Sequence, residues 1–109
     1  MKVAIIGSRT VKSSKVIINK ILEELPNGCS EIVSGGAEGV DQIAEQFAKD
    51  KGIKFTEISS GDPLEKSQKL ADYADYLLAF WDCASKGTAV IISTFTKVSK
   101  HVKIICINK

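Results

Sequence analysis

Histidine, cysteine and net charge are all scarce in this sequence of 109 residues, and each shortage excludes a class of protein. His101 is the single histidine, and the three cysteines, Cys29, Cys83 and Cys106, form no CxxC pair. An odd count at these spacings argues against a disulfide framework and against a zinc site. We therefore expect no metal, and we expect Cys106, which lies in an apolar segment, to be buried in the core. A net charge of +2 is too small to indicate a nucleic-acid or membrane partner.

Long apolar runs are missing as well. No stretch approaches the roughly 18 apolar residues that span a bilayer, and the first apolar run, residues 3–6, is too short for a signal peptide. We therefore expect a cytoplasmic protein without a membrane partner. The length suits one domain with one core, rather than separate cofactor and substrate domains, so residues 1–109 are predicted to form a single domain.

Short apolar runs alternate with segments of helical periodicity along the chain. Strands are predicted at residues 3–6, 31–33, 53–58, 76–81 and 102–107, and helices at residues 14–25, 40–51, 64–73 and 87–98. This alternation predicts an α/β, Rossmann-like domain of three layers, with a five-stranded parallel sheet between helices. Of the two commonest strand orders, 3-2-1-4-5 and 2-1-3-4-5, we favour the first.

Three loops rich in glycine and hydroxyl side chains follow strands one, two and four: residues 7–10 (GSRT), 34–39 (SGGAEG) and 82–88 (DCASKGT). In open α/β sheets, ligands bind at the carboxyl ends of the strands, where the strand order reverses. Glycines let the backbone approach a ligand, and the amino ends of the following helices favour phosphate. The predicted ligand-binding residues are Gly7, Ser8, Arg9, Ser34, Gly35, Gly36, Gly39, Asp41, Asp82, Ser85, Lys86, Gly87 and Thr88.

Several of these residues also have a purely structural interpretation. The glycine loop can be a tight turn, Ser85 a helix cap and Lys86 a solvated side chain, and Arg9, the sole arginine, can pair with a surface acid.

The catalytic residues are unknown, and the weak candidates for them are Asp41 and Asp82, with Glu38 nearby. Asp82 can act as a base or orient a ribose hydroxyl, but a loop-stabilising role is equally open, and Asp41 sits where a helix dipole favours any carboxylate. Cys83 lacks a histidine partner for nucleophilic catalysis. The first loop is not GxGxxG and no acid ends the second strand, so no dinucleotide cofactor is expected.

Four motifs together resemble the SLOG superfamily of Rossmann-like proteins, which includes the lonely-guy (LOG) enzymes and DNA processing protein A. They are GSR at residues 7–9, SGGAEGVD at 34–41, ADYLLAFWD at 74–82 and SKGT at 85–88. The order and spacing are most similar to the YspA/YpsA-like branch, over nearly the whole chain. The resemblance implies a nucleotide-derived ligand held across these loops, often by an oligomer.

Two departures limit what the resemblance implies about activity. Residues 66–67 read Lys-Ser where the branch often has Arg-Asn, and Gly87-Thr88 lacks the downstream glutamate of the lonely-guy motif. Because oxocarbenium-like chemistry needs a nearby carboxylate, phosphoribohydrolase activity is disfavoured.

The leading hypothesis is therefore the binding or sensing of a nucleotide-like ligand. The alternatives are an N-glycosidic-bond hydrolase and a single-strand nucleic-acid module, which requires a continuous basic groove from Lys12, Lys15, Lys66, Lys69 and Lys86. Ile91, Ile92 and Phe95 belong either to the core or to an interface between copies, so a homo-oligomer is open.

Overall fold

Strands and helices alternate throughout the part of the chain that the computed structural model describes, residues 1–8, 14–36 and 39–107. The strands are β1 (Lys2–Gly7), β2 (Glu31–Ser34), β3 (Lys54–Glu57), β4 (Tyr76–Trp81) and β5 (His101–Cys106). The helices are α1 (Ser14–Glu24), α2 (Val40–Lys51), α3 (Pro63–Tyr73) and α4 (Lys86–Lys97). All strand pairs are parallel, in the order β3-β2-β1-β4-β5. This confirms the predicted α/β class and strand order.

The central pair of strands, β1 and β4, is apolar on both faces because helices cover both sides of it. The four middle residues of each strand are buried. Their register pairs Val3 with Tyr76 and Gly7 with Phe80, so the two strands end side by side. Since β2 lies on the other side of β1, and β5 on the other side of β4, the order of the sheet reverses between these two strands.

The core consists of one cluster on each face of the sheet. One cluster packs Ile5 and Phe80 against α1 and α2, and the other packs Ile6 and Val33 against α3 and α4. Phe95 of α4 is fully buried in the second cluster, and Ile91 and Ile92 are partly buried against it. Phe95 therefore belongs to the core. None of the helices in the described ranges is long and apolar enough to cross a membrane.

Glu31, at the amino end of β2, is the centre of a polar cluster. Its Oε2 accepts hydrogen bonds from Thr56 Oγ1 (2.6 Å) and Tyr73 Oη (2.5 Å), and its Oε1 lies 3.6 Å from Lys54 Nζ. Lys2 Nζ lies 4.0 Å from the centre of the Tyr73 ring. Burial opposes ionisation of Glu31, but the two hydrogen bonds and the charges of Lys54 and Lys2 outweigh it and lower the pKa of this carboxyl group.

The expectation that Cys106 is buried in the core is wrong, and so is the expectation of no disulfide. Cys106 is exposed and forms a disulfide with Cys83, with the two Cα atoms 6.4 Å apart. The physical reason is that β5 is an edge strand, of which only Ile105 is buried. The register places Cys106 beside Trp81. Because Trp81 is only two residues before Cys83 in the chain, the two cysteines lie close together.

Candidate functional site

A cleft of about 890 Å³ opens at the carboxyl ends of β1 and β4, where the strand order reverses. Four segments form its walls: the end of β1, the first turn of α2, the β3–α3 loop with the first turns of α3, and the β4–α4 loop with the first turns of α4. The lining residues are Ile6, Gly7, Asp41, Ser60, Pro63, Leu64, Lys66, Ser67, Asp82, Ala84, Ser85, Lys86, Gly87, Thr88, Val90 and Ile91. The position agrees with the general location of ligand sites in such sheets.

Two buried hydroxyl groups connect the strand ends at the base of the cleft. Ser8 and Thr88 are 1% and 4% exposed, and their hydroxyl oxygens lie 3.4 Å apart. The Ser8 backbone donates to Phe80 O (2.9 Å), and Ser8 Oγ accepts from the Asp82 backbone N–H (3.2 Å). Ser8 therefore ties the end of β1 to the β4–α4 loop, while Thr88 lines the cleft.

Asp82 stabilises the β4–α4 loop. Its Oδ1 accepts hydrogen bonds from the backbone N–H groups of Ala84 (2.9 Å) and Ser85 (2.7 Å). From the other side, the Trp81 indole N–H donates to Ser85 O (3.0 Å). Together these contacts fix the path of the chain into α4, so Asp82 has the loop-stabilising role that the sequence left open.

The amino end of α4 contributes one wall of the cleft. Ser85 is its N-cap residue but makes no side-chain capping bond, and the first turn has no acidic residue. Lys86 is exposed, and a Cβ at Gly87 would meet nothing within 4 Å. Since the first backbone N–H groups of a helix lack partners within it, this end offers donors, a partial positive charge and room for an anion.

Gly35, in the loop after β2, lies against two residues that line the cleft, Asp41 and Lys66. The Gly35 N–H donates to Asp41 Oδ2 (2.9 Å), which joins the loop to the buried first turn of α2. Gly39, the N-cap residue of α2, has φ 86°, a conformation that favours glycine. A Cβ at Gly35 would overlap Lys66 Cε and come within 2.6 Å of Lys66 Nζ. Because Gly35 has no side chain, the end of the Lys66 side chain can pack against its backbone.

The described acidic side chains of the cleft are not grouped as metal ligands. Within the described ranges, no group of three or more His, Cys, Asp or Glu residues is placed to hold a metal ion. The charged lining residues are Lys66 and Lys86 together with Asp41 and Asp82. Since Asp41 and Asp82 accept hydrogen bonds from backbone N–H groups nearby, the two lysines are the described charged residues most suited to an external anion.

Residues 1–72 match the family model described as DNA recombination-mediator protein A. The chain belongs to the DNA recombination-mediator protein A family. This confirms the relation to the SLOG superfamily inferred from the motifs, whereas the assignment to the YspA/YpsA-like branch stays a prediction. The chain matches no curated protein and no solved structure.

The match to the DNA recombination-mediator protein A family covers β1 to α3 and stops before β4. It includes the glycine loop and the α3 wall of the cleft, which carries Lys66. The opposite wall, from Asp82 to Thr88, lies beyond the matched residues. The cleft is thus built half from the matched segment and half from the remainder of the chain.

The residues predicted from the sequence fall into three groups in this member of the DNA recombination-mediator protein A family. Those that line the cleft are Gly7, Asp41, Asp82, Ser85, Lys86, Gly87 and Thr88. Those that are not among its lining residues are Ser8, Ser34, Gly35, Gly36 and Gly39. Arg9 and Glu38 lie outside the described residues.

The α3 wall is the part of the site that sequence reasoning missed. Ser60, Pro63 and Leu64 line the cleft, and neither Lys66 nor Ser67 is among the ligand-binding residues predicted from the sequence. A local signal was present, because Asp62-Pro63 marks a helix start just after β3. Asp62 indeed caps α3 by accepting from the Leu64 N–H (3.1 Å).

Proposed function

We propose that the cleft binds a nucleotide or nucleotide-derived phosphorylated ligand. One observation carries the proposal. The amino end of α4 and Lys66 of α3 line opposite walls of the same cleft, at the point where the strand order reverses. A volume of about 890 Å³ lies within the usual range for small-molecule sites.

The phosphate is assigned to the amino end of α4. Backbone N–H groups of its first turn, the Thr88 hydroxyl and the Lys86 ammonium supply donors on one side. Lys66 supplies a second positive charge from α3. Donors that converge from two walls bind an anion better than one helix end alone, because both the dipole and the full charges favour it.

The base or sugar is assigned to the apolar part of the cleft. Pro63 and Leu64 line it on the α3 side, and Val90 and Ile91 line it on the α4 side. Leu64 is 69% exposed, so most of its apolar side chain is accessible to a ligand in the cleft. A flat heterocycle between these walls would bury this side chain.

Binding without turnover is favoured over N-glycosidic hydrolysis. Asp41 and Asp82 each accept backbone hydrogen bonds that hold a loop of the site, which lowers their availability as general bases. The lonely-guy glutamate position after Thr88 holds Ile91, an apolar lining residue. Loss of either aspartate is therefore expected to disturb the loops rather than a chemical step.

Single-stranded nucleic acid is the second candidate, because the family name itself refers to DNA recombination. The described lysines give this candidate less support than they give a small ligand. Lys69 pairs with Glu65 on the surface of α3 (3.0 Å), while Lys66 and Lys86 line the cleft. A groove for a strand needs a continuous basic track, and Lys12 lies outside the described residues.

The test is a thermal-shift screen of the full chain against AMP, ADP, ADP-ribose, NAD and a thymidine oligonucleotide. A ligand present at 100 times its Kd stabilises the fold by roughly 2.7 kcal/mol, which raises Tm by several degrees. We expect a shift with a mononucleotide or ADP-ribose that falls at least by half in Lys86→Ala and Thr88→Val. Lys97→Ala, at the far end of α4, is the matched control and should keep the full shift.

Three outcomes would decide against the proposal. One is no shift with any nucleotide, and another is an equal shift in all three variants. The third is a shift confined to the oligonucleotide with a steep dependence on salt, which would favour the nucleic-acid candidate.

A further inference from the structure

Cys83 and Cys106 lie together at the same edge of the sheet as the cleft. Cys83 belongs to the β4–α4 loop, two residues after the end of β4, and Cys106 is the last residue of β5. β4 and β5 are parallel neighbours, with Trp81 opposite Cys106. Their carboxyl ends therefore bring Cys83 and Cys106 close together. The Cα separation of 6.4 Å lies within the roughly 4.4–6.8 Å of disulfides, so the pair can close without movement of the strands.

Both partners of this pair are exposed, which makes them accessible to soluble thiols and disulfides. Cys29, the third cysteine, differs in place and in chemistry. It precedes β2 at the opposite edge of the sheet, and burial raises the pKa of its thiol. A protonated, partly buried thiol is a poor nucleophile, so exchange is expected to concern the exposed pair alone.

The loop that carries Cys83 is also the loop that leads into the cleft wall. Cys83 has φ 64°, the left-handed region that side chains other than glycine rarely adopt. Its neighbours are fixed by the Asp82 carboxylate and by the bond from the Trp81 indole N–H to Ser85 O. A bond from Cys83 to β5 therefore holds a strained residue in place directly between Asp82 and the lining residues Ala84 and Ser85.

We propose that Cys83 and Cys106 form a reversible dithiol–disulfide pair whose state sets the conformation of the loop at the mouth of the cleft. The oxidant is a low-molecular-weight disulfide such as glutathione disulfide. One protein thiolate attacks a sulfur of that disulfide and releases one glutathione thiolate. The second protein thiolate then attacks the mixed disulfide and releases the other, so two protein thiols become one disulfide and two glutathione thiols form. The effect on ligand affinity rests on the proposed function, whereas the thiol chemistry and the loop change do not.

The experiment equilibrates the full chain in buffers of varied glutathione to glutathione-disulfide ratio, followed by thiol alkylation and mass measurement. We expect one alkylated cysteine, Cys29, at the oxidising end and three at the reducing end, with no species in which Cys29 is paired. Trp81 is the single tryptophan and contacts the loop, so its fluorescence reports the loop directly. Its emission should change at the same ratio as the thiol count.

Matched variants separate the parts of the proposal. Cys29→Ser should keep the coupled transition, whereas Cys83→Ser and Cys106→Ser should each lack it and show constant emission. Three alkylatable thiols at every ratio would overturn the pair, and a thiol transition without a Trp81 change would overturn its link to the loop. With AMP and ADP-ribose as probes, a change in Kd of at least about threefold between the two states is expected, equivalent to about 0.65 kcal/mol. If neither probe binds to either state, the result counts against the proposed function. The thiol count and the Trp81 fluorescence then still show whether Cys83 and Cys106 form a reversible disulfide linked to the loop.

Discussion

The two ends of the sheet use polar side chains in opposite ways. At the amino ends, Glu31 is enclosed by Thr56, Tyr73 and Lys54, which together satisfy both of its oxygens. At the carboxyl ends, Lys66 and Lys86 line an open cleft. Polar groups that hydrogen-bond to one another stabilise the fold, whereas charged groups that line a cleft can contact a ligand. Changes at the first end should therefore alter stability, and changes at the second should alter binding.

The largest expected effect is the loss of stability in Glu31→Gln. The neutral amide cannot accept two charge-assisted hydrogen bonds, and hydrogen bonds to a charged group contribute about 1.5–3 kcal/mol each. We expect the free energy of unfolding at pH 7 to fall by about 2 kcal/mol in urea titrations, with nucleotide affinity unchanged. Glu45→Gln, which alters an exposed pair with Lys49, is the control and should change stability by less than about 0.5 kcal/mol. Weaker nucleotide binding by Glu31→Gln would contradict the separation of stability and binding between the two ends of the sheet.

Gly7→Ala should give the next largest effect, since it lies at the cleft but also in the packed sheet. A Cβ there would lie 2.6 Å from Val40 Cβ and 3.0 Å from the Phe80 carbonyl oxygen. Neither group can move freely, because Val40 is buried at the start of α2 and Phe80 belongs to β4. Overpacking of this kind destabilises by about 1–3 kcal/mol, measurable by chemical unfolding. Gly61→Ala, where a Cβ meets nothing, should be neutral, and equal stability of the two variants would contradict this packing.

Acid should narrow the difference between the wild-type protein and Glu31→Gln. The pKa of Glu31 is lowered in the fold from an ordinary value of 4.5. The carboxylate therefore contributes its full stability above pH 4.5, and this contribution is lost as the pH falls through the lower, folded pKa. In unfolding titrations from pH 7 to pH 3, the difference in unfolding free energy between the two proteins should become smaller below pH 4.5. A constant difference over that range would mean that the ionised carboxylate is not what stabilises the cluster.

The smallest effect on stability is expected for Gly35→Ala, which should instead weaken binding. Its Cβ would displace the end of the Lys66 side chain, which is flexible, rather than backbone. We expect unfolding free energy to change by less than about 0.5 kcal/mol and ligand affinity to fall about threefold, as for one partly exposed ionic contact. Isothermal titration against the nucleotide found in the screen measures the effect, with Gly28→Ala as the neutral control. Unchanged affinity would remove Lys66 from the site.

The fold and the position of the cleft could be predicted because they depend on local patterns. Apolar runs mark the strands, and the glycine loops mark the strand ends, with most helix and strand limits correct within two residues. Seven predicted residues line the cleft because the topology alone brings the ends of β1 and β4 together.

What the sequence could not supply depends on register and on tertiary packing. The Cys83–Cys106 bond follows from the alignment of β5 with β4, which no spacing of cysteines in the chain reveals. The wall formed by Pro63 and Leu64 depends on where the crossover from β3 places α3. The hydrogen bonds of Asp82 depend on the loop conformation, so its role could only be left open.

The pairing of β1 with β4 also affects how the protein folds during its synthesis. Ser8 and Thr88, which meet at the base of the cleft, are 80 residues apart in the chain. One edge of β1 stays unpaired until β4 has been synthesised, because β2 pairs only with the other edge. Such long-range parallel pairing is slow, and an unpaired edge invites association with other chains. A chain that ends at residue 72 would keep that edge permanently open, so the last third of the sequence completes the wall of the cleft and also protects the first strand from aggregation.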